Sequence, residues 1–259
     1  MTRFFKISKK ALLTLVIALF MTTLASFSIL KQLSRPPTEE IGDILNISKD
    51  IESSQLRAVK DSRLSAVRVL TISPDMMIFS SASGTYFTYN GRYYVLTVNH
   101  GITGPCDTAT IVAGSQNISC VRYVELNVPF DYAIIEVEKI DELRPIEIPH
   151  SFPKGDDWKD KLAVLSKTYY TGFPNMTEGP LTIMGYIMGY TSDDFILIHS
   201  YGWAGSSGSG VFSEKGELIG YVIAIDVGQT EYGVNVLEDV VYVVPTFKID
   251  WSVLISSSN

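Results

Sequence analysis

The sequence has few of the residues that hold metals and few positive charges. Its 259 residues include three histidines and two cysteines, and no Cys/His cluster has metal-ligand spacing, so no metal or other cofactor is expected. Lys and Arg number 21 against 28 Asp and Glu, which gives a net charge of −7. Nucleic-acid binding needs a concentrated basic face, and none is visible, so nucleic acid is not an expected partner.

Residues 1–10 hold four basic residues and no acid, and residues 11–30 form an uncharged apolar run. A run of about 20 apolar residues can cross a bilayer as a helix. The positive charges before it predict a cytoplasmic N-terminal tail and export of everything after Leu30, which makes a single-pass membrane protein with its folded part on the extracytoplasmic side. A retained signal anchor is favoured because the run is long; the alternative is a signal peptide cut near Ala25.

Residues 31–64 are predicted to form a juxtamembrane stalk. Pro36 and Pro37 end the apolar helix, and apolar residues then recur loosely at helical spacing up to about Arg63. The spacing never settles into several clean heptads. We therefore expect a mobile helical spacer rather than a self-associating coil.

Residues 65–259 have the pattern of an all-β domain. With 46% hydrophobic and 19% charged residues in the chain, a core in one large domain or two fused subdomains is possible. Asn90-Gly91 between two aromatic-rich runs is a strong hairpin signal. Many short strands without helical periodicity indicate a β-barrel or a pair of barrels. The predicted strands are Ala66–Ile72, Gly84–Tyr89, Arg92–Val98, Ala109–Ala113, Val121–Leu126, Tyr132–Val137, Ala163–Leu165, Leu181–Met188, Asp194–Ile198, Leu218–Ile225 and Val240–Val244.

A Gly/Ser-rich turn joins two apolar runs at residues 199–210, and it is the strongest candidate for a site. A serine on a sharp turn, with free backbone N–H groups beside it, can attack a carbonyl. In this interpretation Ser207 is the nucleophile and the N–H groups of Gly205 and Ser207 form an oxyanion hole. A flexible linker is the alternative, but the apolar runs on both sides argue against it.

A serine nucleophile needs an imidazole base and a carboxylate that orients the base. His100 ends a strand-like run, whereas His150 lies in a Pro-rich connector and His199 is expected to be structural. Asp131 opens a predicted apolar strand, where a partly buried carboxylate needs a hydrogen-bonding partner such as His100. Asp107 is the fallback, on a loop where it is expected to be solvated.

These segments resemble the trypsin/chymotrypsin-like serine peptidases, and most closely their compact Deg (high-temperature-requirement) type. The resemblance covers about residues 65–254 and rests on several segments in the family's order. They are Leu96-Thr97-Val98-Asn99-His100, Phe130-Asp131-Tyr132-Ala133-Ile134-Ile135, Gly205-Ser206-Ser207-Gly208-Ser209-Gly210, Gly84-Thr85-Tyr86-Phe87, Gly172-Phe173-Pro174 and Gly216-Glu217-Leu218-Ile219-Gly220.

The resemblance implies a chymotrypsin-like double β-barrel, at about residues 65–150 and 151–259, with the site in the cleft between the barrels. Ser207 would form the acyl-enzyme, His100 would act as base and then acid, and Asp131 would orient His100. The chain departs from the family at Ser206, where an Asp or Asn is usual, at Ser209, and at Val98-Asn99 before the histidine.

The resemblance also implies where the substrate side chain would lie. The pocket floor would be near Tyr201 and its wall near Ile223, Ala224 and Ile225, with Asp226 just beyond. Because no acid occupies the floor position, a preference for Arg or Lys is not expected. A small or apolar side chain is the hypothesis.

Cys106 and Cys120 are predicted to form a disulfide, since an exported domain lies in an oxidising compartment. Two free buried thiols are the alternative. The favoured function is a membrane-anchored serine endopeptidase whose partners are a polypeptide substrate and the membrane. A catalytically silent barrel that binds a partner at the cell surface, and a secreted hydrolase that acts on esters or on itself, are the other hypotheses.

Overall fold

The computed structural model describes residues 53–75, 77–148, 157–177, 179–230 and 233–256, which belong to one compact unit. The predicted tail, the predicted anchor at 11–30, the stalk up to residue 52 and His150 lie outside the described residues. None of the helices within the described ranges has the length and apolar character needed to cross a membrane.

The first half of the described chain forms a closed six-stranded barrel. Its strand order is β1-β4-β5-β6-β3-β2, and antiparallel pairing of β1 with β2 closes it. A short strand, β7, adds in parallel beside β2. The strands are β1 Ala66–Ser73, β2 Ile78–Tyr89, β3 Arg92–Val98, β4 Ala109–Ala113, β5 Gln116–Asn127, β6 Tyr132–Val137 and β7 Ile146–Glu147.

The second half forms another closed barrel, with the order β10-β13-β12-β11-β8-β9. A short helix, α2 (Trp158–Lys161), precedes it, and a 3-10 turn at Thr246–Lys248 and helix α3 (Val253–Ser256) follow it. The predicted pair of barrels is therefore confirmed. The strands are β8 Lys167–Gly172, β9 Leu181–Tyr190, β10 Ile196–His199, β11 Gly210–Ser213, β12 Leu218–Thr230 and β13 Gly233–Pro245.

One predicted strand, Ala163–Leu165, is wrong. These residues form a turn closed by a hydrogen bond from Ser166 N–H to Ala163 C=O at 3.0 Å, and Leu165 has a φ of 71°. A left-handed residue cannot continue a strand, so β8 begins two residues later, at Lys167. The apolar side chain of Leu165 is 75% exposed, which explains why its hydrophobicity misled the assignment.

The end of the predicted stalk is a helix, α1 (Ser53–Ser65), that packs on the second barrel. Its buried residues Ala58, Val59, Ser62 and Ser65 recur on one face, and the first two join a cluster with Tyr169, Phe212 and Leu218. Ser62 Oγ also donates to Thr171 Oγ1 on β8 at 2.7 Å. This part of the chain is thus attached to the domain, which differs from the expected mobile spacer.

A shared hydrophobic cluster joins the two barrels. Aromatic and aliphatic side chains of β2, β3 and β6 pack there against Tyr221, Val244, Ile249 and Leu254 from the second half of the chain. Two further clusters fill the interiors of the barrels separately. Val98 at the end of β3 and Phe130 in the loop after β5 belong to this cluster, and the loop after β10 bonds to β2 through Ser207 C=O, so residues distant in sequence meet at the junction.

The predicted disulfide is confirmed. Cys106 and Cys120 are bonded, with their Cα atoms 5.4 Å apart. The bridge connects a 3-10 turn, Cys106–Thr108, to strand β5 of the first barrel.

Candidate active site

His100 and Asp131 are joined by hydrogen bonds at the end of strand β3. A 3-10 turn at Asn99–Gly101 follows the strand and turns the His100 ring towards the loop between β5 and β6. His100 Nδ1 lies 2.6 Å from Asp131 Oδ2, and the His100 backbone N–H donates to Asp131 Oδ1 at 2.8 Å. Both carboxylate oxygens therefore hold the same residue, one through its ring and one through its backbone.

The backbone of Asp131 is shaped for this double contact. Its φ of 55° lies in the left-handed region, which aspartate tolerates better than most residues. The Asp131 carbonyl accepts the Asn99 N–H at 3.1 Å, so the two loops are fastened beside the carboxylate as well. The Asp131 side chain is 29% exposed, in agreement with the predicted partial burial. The fallback carboxylate, Asp107, is exposed on the Cys106–Thr108 turn.

His199 lies in a different environment. Its Nε2 is 3.7 Å from Asp239 Oδ2, and both side chains are more than half exposed. It belongs to strand β10, which pairs with β9 and β13 on the wall of the second barrel. The structure therefore pairs His199 with a surface acid.

The Ser207 loop starts with a tight turn. Ser206 N–H donates to Trp203 C=O at 2.8 Å, and Gly205, the third residue of the turn, has a φ of 96°. This is the backbone of a type II turn, which requires positive φ at that position and therefore glycine. A second positive φ, 91° at Gly208, turns the chain into strand β11. Ser206 and Ser209, which belong to this loop, are buried.

The two predicted oxyanion-hole donors are not engaged elsewhere. Among the described residues, neither the Gly205 N–H nor the Ser207 N–H donates a hydrogen bond. Asn175 N–H donates to Ala204 C=O at 2.8 Å and fixes the peptide between Ala204 and Gly205. Because a trans peptide points its C=O and N–H in opposite directions, the Gly205 N–H faces away from Asn175.

The Ser207 side chain bonds within the second barrel. Its hydroxyl donates to Ile223 C=O on strand β12 at 3.2 Å. Within the part of the chain that the structure describes, no hydrogen bond joins Ser207 Oγ and His100. Catalytic hydrogen bonds are often long or absent before substrate binds.

Backbone contacts hold the Ser207 loop against the first barrel. Ser83 N–H on strand β2 donates to Ser207 C=O at 2.8 Å. A Cβ at Gly208 would lie 2.0 Å from Ser83 O and 2.7 Å from Thr97 Oγ1, so glycine permits this approach. Since β3 carries Thr97 and is followed by the His100 turn, this contact brings the loop close in space to the chain segment that holds His100.

The predicted pocket residues lie on two elements. Tyr201 is 60% exposed and stacks on Trp203, with ring centroids 5.8 Å apart, and its carbonyl accepts a hydrogen bond from the buried Tyr170 hydroxyl. Burial raises the pKa of Tyr170. Ile223, Ala224 and Ile225 are consecutive residues of β12, and only the backbone is described at the last two. Of the four, Ile223 contacts Ser207 directly.

Sequence reasoning missed the polar residues that support the site from behind. Tyr221 on β12 donates its hydroxyl to Phe130 C=O, next to Asp131, at 2.6 Å. Burial, with the nearby Asp131 charge, raises the pKa of this hydroxyl and keeps it a neutral donor. Ser83 and Asn175 support the Ser207 loop. The only sequence signal for Ser83 is its place immediately before the Gly84 segment of the resemblance.

The fold and the loop geometry define a two-barrel peptidase architecture, and a comparison of family models agrees. The model of the trypsin-like peptidase domain matches residues 82–220, which include His100, Asp131 and Ser207. This match covers more than half of the chain. The protein belongs to the trypsin-like peptidase family, as the sequence predicted, and this membership supports a serine-type peptidase activity.

Solved structures share the fold at low sequence identity. The chain is similar to a serine endoprotease from Yersinia pestis, with a TM-score of 0.57 and 20% identity over 77% of this chain and 65% of that one. It is also similar to the Rv3671c protease from M. tuberculosis in its active form, with a TM-score of 0.54 and 16% identity over 73% and 79% of the two chains. The chain thus spans about two thirds of the Yersinia protein. No curated protein sequence matches it.

Proposed function

We propose that the protein is a serine endopeptidase with Ser207 as nucleophile, His100 as general base and Asp131 as the residue that orients the base. The observation that carries this proposal is the 2.6 Å contact between His100 Nδ1 and Asp131 Oδ2 at the barrel junction. With the proton held on Nδ1 by the carboxylate, Nε2 is left as the acceptor that a serine hydroxyl needs. The proposal thus accounts for the pair and the loop together.

Acylation begins when the Ser207 hydroxyl leaves Ile223 C=O and turns to His100 Nε2. Its oxygen attacks the scissile carbonyl while His100 takes the proton. The negative charge on the resulting oxyanion is stabilised by the unengaged N–H groups of Gly205 and Ser207. His100 then gives its proton to the leaving amine, and the peptide bond breaks.

Deacylation repeats these steps with water. His100 removes a proton from the water molecule, the hydroxide attacks the Ser207 ester, and the same two N–H groups hold the second oxyanion. The proton returns to Ser207 Oγ as the carboxylic acid product leaves. No metal or other cofactor takes part in this sequence.

For specificity, we propose a pocket at Tyr201, Ile223, Ala224 and Ile225 that accepts small or apolar side chains. Tyr201 offers no carboxylate for an Arg or Lys side chain. A peptide library is expected to show cleavage after small or apolar residues. Strict cleavage after Arg or Lys would contradict this pocket.

We also propose that residues 11–30 anchor the peptidase in the membrane, with the barrels on the extracytoplasmic side. The support is the uncharged apolar run after a basic tail. The full chain should stay in the membrane pellet after an alkaline carbonate wash, and deletion of 11–30 should release it. A mature N-terminus just after Ala25 would instead favour a cleaved signal peptide and a released hydrolase.

The test of catalysis is labelling with a fluorophosphonate probe. Wild type should be labelled, and Ser207→Ala and His100→Ala should each abolish labelling while keeping the thermal unfolding transition. His199→Ala is the matched control, because His199 is an exposed histidine that pairs with Asp239 rather than with Asp131 or Ser207. It should be labelled at the wild-type rate.

A catalytically silent binding barrel is the second candidate. The bond from Ser207 Oγ to Ile223 C=O favours it, since the hydroxyl donates to a backbone carbonyl rather than to His100. Well-folded wild type that resists the probe at every pH between about 6 and 9 would support this candidate.

A further inference from the structure

Ser83 is a fully buried serine of the first barrel that contacts the Ser207 loop of the second. Its hydroxyl donates to Gly205 C=O at 2.6 Å and accepts the Phe173 N–H at 2.8 Å. Its backbone N–H donates to Ser207 C=O, and its own carbonyl accepts the Thr97 hydroxyl at 2.6 Å. One residue therefore touches both residues whose N–H groups would form the oxyanion hole.

The hydroxyl of Ser83 controls a specific peptide. Gly205 C=O belongs to the peptide between Gly205 and Ser206, directly after the one that carries the Gly205 N–H. Asn175 N–H fixes the earlier peptide through Ala204 C=O, and Ser83 Oγ fixes the later one. Gly205 has no Cβ to limit its rotation, so these two bonds set the direction of its N–H.

We propose that Ser83 is a positioning residue: from the opposite barrel, it holds the Ser207 loop so that the N–H groups of Gly205 and Ser207 stay free to bind an oxyanion. This inference rests on the proposed peptidase function and adds to it a residue outside the triad and the loop. Because Ser83 is fully buried, its side chain is not accessible to a substrate. It acts through Gly205, and it makes the arrangement of the loop depend on correct docking of the two barrels.

A hydroxyl is the group that this position needs. It can donate to Gly205 C=O and accept from Phe173 N–H at the same time, which alanine cannot do. Without it, a carbonyl and an N–H would be left buried and unpaired, and rotation of the Gly205 peptides would be the simplest way to find new partners. That rotation would remove the Gly205 N–H from the oxyanion.

The experiment measures fluorophosphonate labelling of the full chain as a second-order rate. The probe forms an Ser207 Oγ–P bond, releases fluoride and places a phosphoryl oxygen in the oxyanion hole, while His100 takes the hydroxyl proton. Ser83→Ala should slow labelling by about 10- to 100-fold, in the range of a disturbed oxyanion hole. Ser65→Ala, which deletes an equally buried hydroxyl bonded within α1, should be labelled at the wild-type rate.

The pH profile separates positioning of the loop from a general loss of structure. Ser83→Ala should lower the labelling plateau and leave the pH of half-maximal labelling unchanged, since the His100–Asp131 pair is not touched. If Ser83→Ala does not fold, Ser83→Cys keeps a weak donor of similar shape and should give an intermediate rate. Labelling of folded Ser83→Ala or Ser83→Cys at the wild-type rate would overturn the inference. Wild type that is not labelled would instead reject the proposed function.

Discussion

The two halves of the candidate site are built in opposite ways. On the first barrel, His100 and Asp131 are held by direct charge-assisted hydrogen bonds and stay open to solvent, with 54% of the His100 side chain exposed. On the second barrel, the loop around Ser207 is held by its backbone, with positive φ at Gly205 and Gly208, and residues 205–210 are buried apart from the half-buried Ser207. The first half depends on hydrogen bonds made by two side chains, and the second depends on glycines whose lack of a side chain allows the turns.

This difference predicts different failures. A change in the exposed pair should alter proton transfer and leave the fold intact, because a hydrogen bond between two partly solvated side chains contributes little to stability. A change in the buried loop should disturb packing between the barrels before it alters any chemistry. Substitutions of each kind can therefore be told apart by measuring labelling and unfolding on the same variants.

Asp131→Asn should give the largest effect, a loss of about 10³- to 10⁴-fold in the labelling rate with the unfolding midpoint little changed. The amide of Asn donates to His100 Nδ1, so the ring proton moves to Nε2. A protonated Nε2 cannot accept the proton of the Ser207 hydroxyl. Asp141→Asn is the control, since Asp141 is 75% exposed and pairs with Lys139 away from the site. A labelling rate within tenfold of wild type would show that Asp131 does not orient the base.

Gly208→Ala should act on the fold. The new Cβ would lie 2.0 Å from Ser83 O, and the positive φ adds strain, so we expect a loss of about 3 to 5 kcal/mol in the free energy of unfolding. Gly91→Ala is a matched control: Gly91 has a φ of 76° but nothing within 4 Å of the added Cβ. It should lose only about 1 kcal/mol. Equal losses in urea titrations of both variants would mean that the barrels do not meet closely at Gly208.

The disulfide offers a smaller test that stays within the first barrel. Cys106 and Cys120 are separated by 14 positions in the sequence. Replacing both by Ser removes the cross-link that closes this loop and should lower the free energy of unfolding by about 3 kcal/mol. The folded fraction should keep the wild-type labelling rate, because the hydrogen bonds described at His100 and Asp131 involve neither cysteine. A fall in that rate under conditions where the variant is fully folded would link the bridge to the His100 turn.

The sequence predicted local features well and cross-barrel contacts poorly. The bounds of β3, β4 and β6 were predicted correctly because each is a short, mostly apolar run between turn residues. The hairpin at Asn90-Gly91 also followed from two residues, and the structure gives both of them the positive φ of a type I′ turn. The roles of His100, Asp131 and Ser207 remain predictions, although the structure does bond His100 to Asp131.

The polar residues that support the site from behind have no local sequence pattern that predicts their role. Ser83 and Gly205 are 122 positions apart, so the hydrogen bond between them depends on how the two barrels dock. The Ala163–Leu165 error has the opposite origin, because an apolar tripeptide resembled a strand while its backbone forms a turn. Hydrophobicity predicts what can be buried, and it does not predict the partners of a buried polar group.

Tyr221→Phe should give the smallest effect and sharpen the comparison most, because Tyr221 connects the two halves. Its hydroxyl reaches from the second barrel to Phe130 C=O, and removing it leaves that carbonyl short of a donor beside Asp131. We expect a loss of about 1 to 2 kcal/mol in the free energy of unfolding and a fewfold slower labelling rate. Tyr86→Phe deletes another buried tyrosine hydroxyl, one that accepts the Ile140 N–H inside the first barrel, and should cost similar stability without slowing labelling. If the two variants are labelled equally fast, the geometry of His100 and Asp131 does not depend on the Tyr221 hydroxyl of the second barrel. Only the Ser207 loop would then depend on the opposite barrel, through Ser83.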